Sequence, residues 1–438
     1  MGSHKKITRR SFLKKSTSVG VGALGFPYIV SSSAMGEAGN SAASERITLG
    51  FIGVGSRGFY LLRNFMPLKD TQVIAVCDVK QTRREKSQKA VDEHYGEKVC
   101  AVFNDFRELC GRIDIDAVVV ASTDHWHVLH ALEAVRAGKD VYCEKPLGPS
   151  IEQGKMLRQE VNRYNRVLQF GSQERSSRNT RFACEMVLSG RVGKIHTIKV
   201  GSRSYTSDLK DFPPMQVPDG FDYDMWLGPA PWAPYTPNRV SPAYWFNIRD
   251  YSLGFMAGTG IHTIDMATWG NGTQLTGPVE IEGTGEIPRV GLCGCPTGWD
   301  VNLKFANGVT MNFSDEKKNP LGVRFEGADG WVSVKEEHLG GSVDAEPKEL
   351  LQKEIGPDEV HLPQSNHHQQ NFLDCVRNRA KPIAPIESAV RSDTLCHLSD
   401  IAIRTGRKLN WDPEKEKFIN DEQANRLLKL PLRSPWHL

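Results

Sequence analysis

The most constraining feature of the sequence is an apolar run that ends in a glycine-rich turn. Residues 47–52 are almost wholly apolar, and Gly53, Gly55 and Gly58 follow with the spacing G-x-G-x-x-G. A short apolar run of this kind is typical of a buried parallel strand. In such a turn the first glycine allows the tight bend, the second lets backbone approach a pyrophosphate, and the third lets a helix pack on the strand. The pattern predicts a strand, a phosphate-binding turn and a helix over 59–65.

A second apolar run, at 72–76, is followed by Asp78, twenty positions after Gly58. A carboxylate at this distance accepts hydrogen bonds from the ribose hydroxyls of a bound dinucleotide. It favours NAD, because its charge repels the 2′-phosphate of NADP. The basic residues around it leave NADP open as an alternative; they are Arg57, Lys80, Arg83 and Arg84.

Strands continue to alternate with helical segments along this part of the chain. Apolar runs at 117–120 and 140–143 end in two polar clusters, at 122–127 and 144–146. This alternation predicts an α/β protein with a doubly wound parallel sheet, whose ligands bind at the carboxyl ends of the strands. We therefore expect the residues at these ends to surround the cofactor; they are Ser56, Arg57, Ser122, Thr123, His125, His127, Glu144, Lys145 and Pro146.

The charge of the chain is unevenly distributed. The 438 residues include 55 Lys and Arg and 52 Asp and Glu, a net charge of +3, but residues 1–36 hold six bases and no acid. The remainder is mildly acidic, which gives no reason to expect a nucleic-acid partner. No apolar stretch reaches the ~18 residues of a membrane span. Nine cysteines are too dilute for a disulfide scaffold.

The basic N-terminus has the features of an export signal. Positions 8–15 read TRRSFLKK, a weakly apolar run covers 19–30, and small residues follow at 32–34. This order is typical of a twin-arginine signal, a route that exports folded proteins. We expect residues 1–44 to be a signal peptide and linker and the mature protein to be periplasmic. The alternative is an amphipathic surface helix.

Taken in order, the motifs resemble those of the Gfo/Idh/MocA oxidoreductases. Beyond the glycine turn and Asp78, the resemblance rests on DHWH at 124–127, EKP at 144–146, QFGSQ at 169–173, WLGP at 226–229, GIHTID at 260–265 and GRKL at 406–409. It implies an NAD-binding Rossmann domain over 45–170. It also implies a C-terminal α/β domain over 171–438, whose large open, mainly antiparallel sheet carries substrate on one face and an oligomer interface on the other.

The resemblance also implies a site for NAD(P)-linked oxidation or reduction of sugar hydroxyls. Lys145 corresponds to the lysine that helps the hydroxyl proton leave, and a lysine desolvated near a cationic nicotinamide can act as a general base at neutral pH. Pro146 corresponds to a proline usually preceded by a cis peptide. His262 corresponds to a second polar group over the substrate. The family acid four residues earlier is replaced by Gly258, so Asp265 could orient the imidazole or simply pack in its helix.

Substrate contacts are expected from an aromatic-rich region between positions 212 and 269 and from polar residues near it. Aromatic rings stack on the C–H faces of sugars, although most of these rings could instead be core. The expected substrate-binding residues are Lys145, Gln173, Arg175, Trp245, His262 and Asp265. His125 and His127 lack a third metal-ligand partner, so no metal is expected. Cys293 and Cys295 are expected to be a loop pair, with a strained disulfide as the alternative.

These expectations combine into one functional hypothesis. The chain is expected to be an exported, homo-oligomeric (dimeric or tetrameric) NAD-dependent oxidoreductase that acts on a ring hydroxyl of a sugar or glycoside, with C3 as the favoured position. Two alternatives remain. One is an NAD-dependent glycosidase that works by transient oxidation and elimination, and the other is a saccharide-binding protein with weakened chemistry.

Overall fold

The first half of the chain alternates strands with helices, as its sequence pattern predicts. A computed structural model describes residues 45–205, 210 and 212–438, so the predicted export signal lies outside the described residues. The strands are β1 (Ile47–Ile52), β2 (Thr71–Cys77), β3 (Ala101–Phe103), β4 (Ala117–Val120), β5 (Asp140–Cys143) and β6 (Leu168–Phe170). The helices are α1 (Ser56–Phe65), α2 (Gln81–Tyr95), α3 (Phe106–Cys110), α4 (Asp124–Arg136) and α5 (Ile151–Arg163).

These six strands form one parallel sheet in the order β3-β2-β1-β4-β5-β6. The order reverses at β1, whose neighbours are β2 on one side and β4 on the other. In an open α/β sheet ligands bind outside the carboxyl ends of the strands at such a switch point. The glycine turn leaves β1 at this point, so the predicted doubly wound sheet is confirmed and its topology places the turn at the ligand-binding edge.

The second half is built around a larger sheet. Its strands are β7 (Ile195–Ser202), β8 (Pro278–Glu286), β9 (Gly298–Phe305), β10 (Thr310–Asp315), β11 (Gly322–Gly327), β12 (Gly330–Val334), β13 (Val343–Glu346), β14 (Leu409–Asp412) and β15 (Lys417–Phe418). Its α-helices are α6 (Arg178–Leu188), α7 (Tyr223–Leu227), α8 (Pro242–Trp245), α9 (Phe255–Gly258), α10 (Gly260–Gly270), α11 (His368–Asn378), α12 (Ile386–Thr405) and α13 (Glu422–Arg426). Short 3-10 helices cover Gln173–Ser176, Glu337–Leu339 and Lys348–Gln352.

The larger sheet has the order β13-β12-β11-β7-β10-β9-β8-β14-β15, and all its pairs are antiparallel except β7 with β10. One face is apolar and fully buried, with Ile198, Val200, Met311, Phe313 and Phe325 on it. Helices α10 and α12 pack on this sheet and on each other. This is the predicted large, mainly antiparallel sheet of the C-terminal domain.

One local feature differs from the sequence-based expectation. Helix α4 begins at Asp124, whereas the sequence pattern predicts a loop at 124–127 and a helix from 128. Helix α11 packs against the first sheet, because Phe372 lies edge-on to Phe65 and Tyr142 at centroid distances of 6.4 and 5.9 Å. Residues near the C-terminus therefore complete the core of the nucleotide-binding half.

The described residues contain neither a membrane-spanning helix nor a disulfide. None of the described helices is both long enough and apolar enough to cross a membrane. All nine cysteine thiols are free and buried. Cys293 and Cys295 therefore form a loop pair without a disulfide, in which the Cys293 thiol donates to the carbonyl of Cys295.

Candidate active site

The glycine turn is shaped by close contacts that no side chain could share. Gly53 has a φ of +81°, and a Cβ at this position would lie 2.5 Å from the Cα of Ser122. A Cβ on Gly58 would lie 1.9 Å from the carbonyl oxygen of Gly53. The first glycine therefore permits the turn to approach the loop after β4, and the third permits helix α1 to pack against the turn.

Gly55 leaves the start of helix α1 open. It is the N-cap residue, and no side chain caps the first turn. The uncapped N–H groups and the positive end of the helix dipole suit a phosphate. A cavity of about 220 Å³ lies over this turn. The residues predicted for the cofactor that line it are Gly53, Gly55, Ser56, Arg57, Asp78, Ser122 and Thr123.

Asp78 is held in place by the backbone at the end of β2. Its carboxylate accepts hydrogen bonds from the backbone N–H groups of Val54, at 3.0 Å, and Lys80, at 2.9 Å. It is almost fully buried and lines the cavity. One carboxylate oxygen lies 3.7 Å from Nη1 of Arg83. Asp78 thus has the position expected of a ribose-binding carboxylate, and its neighbouring cation is Arg83, one of the basic residues that leave NADP open as an alternative.

The other basic residues near Asp78 are turned to different partners. The ammonium of Lys80 lies 4.5 Å from the ring centre of Phe221. Arg84 donates to the carbonyl of Asp78 and to the side chain of Asn104. A 2′-phosphate at this place would meet the carboxylate of Asp78 and, among the cations, mainly Arg83, because Lys80 and Arg84 contact other groups.

These observations fit a dinucleotide. The glycine cradle supplies the space, the open helix start suits the pyrophosphate, and Asp78 suits the adenosine ribose. Trp245, predicted to bind substrate, lines this cofactor cavity instead. The cavity also includes Trp126 of the DHWH motif, as well as Phe106 and His130, which the sequence pattern did not indicate.

The two histidines in the first turn of α4 have separate surroundings. Nδ1 of His127 lies 2.6 Å from the carbonyl oxygen of Pro146, and Nε2 lies 3.1 Å from that of Ser122. His127 therefore joins the loops that follow β4 and β5. His125 points away from the cofactor cavity and lines a second one, with Nε2 3.0 Å from the carbonyl oxygen of Trp226. The prediction that His125 lies beside the nicotinamide is wrong, because the helix starts at Asp124, four residues earlier than predicted, and turns this side chain to the second cavity.

Glu144 connects the end of β5 to the glycine turn. It is buried, and its carboxylate accepts hydrogen bonds from Nε of Arg57 at 2.8 Å and pairs with Nη2 at 2.7 Å. A buried carboxylate needs such a partner, because desolvation of an unpaired charge is costly. The pair fixes Arg57 over the turn and so positions residues of two strand ends relative to each other.

Lys145 follows directly and reaches across to the second half of the chain. Its ammonium donates to the backbone carbonyl of Gly258, at the end of α9. Burial lowers the pKa of this ammonium, while the negative charges of Glu144 and Asp124 act in the opposite direction. The Lys145–Pro146 peptide is cis. The lysine is thus desolvated at a strand end, the environment in which its neutral form is most accessible.

Gly258 stands where the family acid would be, and the space for a side chain is occupied. A Cβ on Gly258 would lie 1.7 Å from Cζ of Phe246. The Phe246 ring packs edge-on against Phe255, with ring centres 5.2 Å apart. The aromatic ring therefore replaces the missing carboxylate in space, and a backbone carbonyl replaces it as the partner of Lys145.

His262 lies in the first turn of α10. Its Nδ1 is buried and has no hydrogen-bond partner among the described residues. Burial, together with the positive charges of Lys145 and Arg57, lowers the pKa of this imidazole well below its usual value. The ring is therefore neutral at physiological pH and offers one N–H donor and one acceptor.

Arg175 and Asp265 do not form the substrate contacts expected of them. Nε and Nη2 of Arg175 donate to the two carboxylate oxygens of Asp265 at 2.7 and 2.8 Å, and Ser172 and Ser392 donate to the same carboxylate. The guanidinium also lies 5.1 Å from the ring centre of Trp269. Both residues are nearly inaccessible. Their expected role is corrected to a buried ion pair that anchors α10, and Asp265 does not orient His262.

Gln173 and its neighbour Glu174 lie in the 3-10 helix after β6. The Gln173 side chain is partly exposed and forms no hydrogen bond within the part of the chain that the structure describes, so it stays available to a ligand. Glu174 is 5% exposed and lies close to Glu336, which is 3% exposed, and to His338. Burial raises the pKa of each of these two glutamates to about 7.

The sequence pattern missed this carboxylate cluster. Glu174 directly follows the QFGSQ motif, which was a usable signal. Glu336 and His338 lie after β12 in a stretch without a motif, and only the fold brings them to Glu174. Because Glu174 directly follows Gln173 in the same 3-10 helix, the cluster lies next to this predicted substrate contact.

The fold and the site together define a two-part, dinucleotide-binding oxidoreductase with a desolvated lysine at the end of a Rossmann strand. Comparison with known families gives the same class. Residues 47–172 match "Oxidoreductase family, NAD-binding Rossmann fold", and residues 201–438 match "Oxidoreductase family, C-terminal alpha/beta domain", both of the Gfo/Idh/MocA type. The chain belongs to the Gfo/Idh/MocA oxidoreductase family, and NAD as its cofactor agrees with the first of these domains.

Known relatives align with parts of the chain. A glycosyl hydrolase family 109 protein from Shewanella sp. (strain ANA-3) is 34% identical over 113 residues, which is 25% of each chain. The myo-inositol 2-dehydrogenase of Thermotoga maritima is 29% identical over 178 residues, 40% of this chain and 51% of that one. The chain thus spans a quarter to a half of the length of these relatives.

Solved structures extend the similarity of the fold. The aldose-aldose oxidoreductase from Caulobacter crescentus, crystallised with glycerol, superposes with a TM-score of 0.62. It covers 83% of this chain and 99% of its own, at 18% sequence identity. At this identity the superposition establishes the shared architecture and nothing about the substrate.

Proposed function

We propose that the protein is an NAD-dependent oxidoreductase that moves a hydride between a ring hydroxyl carbon of a sugar or glycoside and the bound nicotinamide, with C3 as the favoured position. The observation that carries this proposal is the placement of Lys145, which is desolvated after β5 and directly follows Glu144, whose partner Arg57 lines the dinucleotide cavity. Bound NAD supplies the hydride acceptor. The C4 of its nicotinamide and the substrate carbon must come within ~3–3.5 Å for transfer.

The chain's own residues would divide the remaining work. The neutral form of Lys145 would take the hydroxyl proton at Nζ as the carbon is oxidised, and return it in the reverse direction. Its hydrogen bond to the Gly258 carbonyl would hold Nζ in place. A carboxylate at this position would favour the ammonium form by its negative charge, and the carbonyl lacks that charge. The missing acid is thereby consistent with a more easily deprotonated lysine.

His262 would complete the contact with the reacting oxygen. Because its ring is neutral and its Nδ1 is unpartnered, it can donate one hydrogen bond to an oxygen or accept one from a hydroxyl. Gln173 would bind a further sugar hydroxyl. His127 would act indirectly, by holding the loops that carry Ser122 and Pro146.

The test is reduction of bound cofactor on addition of a panel of glycosides, followed by fluorescence of the reduced nicotinamide. Wild-type protein is expected to give reduced cofactor with at least one glycoside, and a Lys145→Met variant is expected to keep the cofactor without reducing it. Reduction by the variant at the wild-type rate would refute the role of Lys145.

An NAD-dependent glycosidase is the second candidate, favoured by the similarity to glycosyl hydrolase family 109 proteins and by the buried carboxylates Glu174 and Glu336. In this reaction oxidation acidifies a neighbouring C–H, this proton and the aglycone are eliminated, water adds in place of the aglycone, and the hydride is then returned. Release of aglycone with no net change of cofactor would support it. Net reduced cofactor with an intact glycosidic bond would support the dehydrogenase.

We also propose export and self-association. The TRRSFLKK stretch supports twin-arginine export to the periplasm. Replacing Arg9 and Arg10 by lysine is expected to leave the protein in the cytoplasmic fraction. The larger sheet supports a homo-oligomer, because the sheet of the Gfo/Idh/MocA family commonly carries an oligomer interface on the face opposite the substrate. On the face of this sheet away from its apolar side, Lys199 pairs with Glu326, and Arg324 lies 4.0 Å from the ring centre of Trp331. Light scattering after size-exclusion chromatography measures its state.

A further inference from the structure

A cluster of metal-ligating side chains lies outside the predicted lysine–histidine pair. Glu174, Glu336 and His338 each present one ligand atom, and these atoms lie within 4.8 Å of one another. Glu174 comes from the 3-10 helix after β6, while Glu336 and His338 flank the start of the 3-10 helix that follows β12. We propose that these three residues bind a divalent cation.

The two carboxylates are buried in a way that calls for a positive partner. Glu174 accepts a hydrogen bond from the backbone N–H of Glu337 at 3.1 Å. Neither Glu174 nor Glu336 forms an ion pair with a lysine or arginine among residues 45–205, 210 and 212–438. Two buried carboxylates without such a partner are unfavourable as anions unless a cation or a proton neutralises them.

One carboxylate oxygen of Glu336 is buried in the cluster without a hydrogen-bond partner among the described residues. Its Oε2 is fully buried, has no hydrogen-bond partner among the described residues, and lies 3.5 Å from Nδ1 of His338. The atom therefore points into the cluster and is unsatisfied there. A buried acceptor of this kind is rare in folded proteins without a ligand to occupy it.

The donor set indicates which cations fit. Two carboxylates and one imidazole are the mixed ligands of zinc and manganese sites, and three protein ligands leave positions open for water or substrate. Ligand distances of about 2.0–2.2 Å in a tetrahedral site place the donor atoms about 3.4 Å apart, so the side chains must close by up to about 1.4 Å. His338 is half exposed, which gives the cation an entry path.

The position of the cluster suggests what the cation does, and this part rests on the proposed function. Glu174 directly follows Gln173 in the 3-10 helix, and the partly exposed side chain of Gln173 is the one proposed to bind a sugar hydroxyl. A cation held at Glu174 would lie next to that part of the substrate site. It would bind hydroxyl or keto oxygens of the sugar next to the reacting carbon and orient that carbon toward the nicotinamide.

The test begins with metal binding in the absence of sugar. The full-length protein is stripped with a chelator and dialysed against Zn²⁺ alone or Mn²⁺ alone, and bound metal is measured by mass spectrometry. We expect one ion per chain, and about 10–100-fold weaker binding in Glu336→Gln and His338→Ala. His361→Ala is the matched control, because His361 is an exposed histidine outside the cluster. Its affinity should equal that of wild type.

Absence of stoichiometric binding of either ion, or equal binding by all four proteins, would overturn the proposal. Circular dichroism melts of each variant, with Glu336→Gln as the near-isosteric change, separate lost binding from lost folding. A second arm adds glycosides to the Mn²⁺-loaded protein and follows water-proton relaxation. Displaced water would support sugar binding at the metal. An unchanged signal would refute sugar binding at the metal but not the metal site. Neither result depends on the outcome of the cofactor-reduction assay.

Discussion

Introducing a side chain at Gly258 tests whether Phe246 has taken the space of the family acid. A Cβ there would lie 1.7, 2.5 and 2.8 Å from three carbons of the Phe246 ring. Real contacts of this kind begin near 3.4 Å, so the ring must move by about an ångström or more. Overpacking of a filled site costs about 1–3 kcal/mol. We expect Gly258→Ala to destabilise the protein by this amount.

A double-mutant cycle makes the prediction specific. Phe246→Ala removes the clashing ring and loses its packing against Phe255. If the two positions compete for one space, the double variant should be more stable than the sum of the single effects, by about 1 kcal/mol or more. The assay is urea unfolding of the four proteins followed by tryptophan fluorescence.

Gly154→Ala is the control for the glycine change. Gly154 lies inside helix α5, and a Cβ there would make ordinary contacts, the nearest at 3.7 Å to Leu147. This substitution should be neutral or stabilising by up to about 1 kcal/mol, since alanine is the better helix former. Strict additivity in the cycle, or a Gly258→Ala protein as stable as wild type, would refute the idea that the ring fills this space.

Three further predictions concern buried charges. Lys145→Met should lower kcat by about 10²–10⁴-fold. In wild type, kcat/KM should rise with pH through the pKa of Lys145, which burial lowers from the ordinary lysine range. A variant with an unchanged pH profile would exclude this base. Burial raises the pKa of Asp124 to about 6, so the folded state keeps a proton that the unfolded state releases. The contribution of Asp124 to wild-type stability should therefore fall by about 3 kcal/mol as pH rises from ~3 to ~7. The difference in stability between wild type and Asp124→Asn, from urea titrations at both pH values, should change by this amount. Asp265→Ala leaves the guanidinium of Arg175 buried without its partner and should cost about 3–5 kcal/mol, measured by thermal or urea unfolding; a loss below about 1 kcal/mol would contradict the structural role.

The sequence was sufficient for the first half of the fold because its signals are local. An apolar run, three glycines and Asp78 define a strand, a turn and a second strand end within about thirty residues. The strands at 117–120 and 140–143 and the stop of α12 at Gly406, with a φ of +63°, were predictable for the same reason. The packing of Phe372 on the first sheet was not, because it joins positions about 300 apart.

The site was predictable only in part. Lys145 and His262 were indicated by motifs, but their partners depend on tertiary contacts that no spacing encodes. The sequence pattern misplaces His125 because it predicts the start of α4 four residues too late. Arg175 and Asp265 have the residue types of a sugar site, yet they neutralise each other inside the fold. Likewise, the carboxylate cluster forms from segments more than 150 residues apart.

The central claim is that this chain transfers a hydride from a sugar carbon to bound NAD with Lys145 as the base. Its most direct test is mass spectrometry of the cofactor released after incubation with a glycoside deuterated at C3. We expect deuterium in the reduced nicotinamide from wild-type protein and none from Lys145→Met, which still holds its cofactor. Reduced cofactor without deuterium would place the oxidation at another carbon. Deuterium transfer by the variant at the wild-type level would contradict the account.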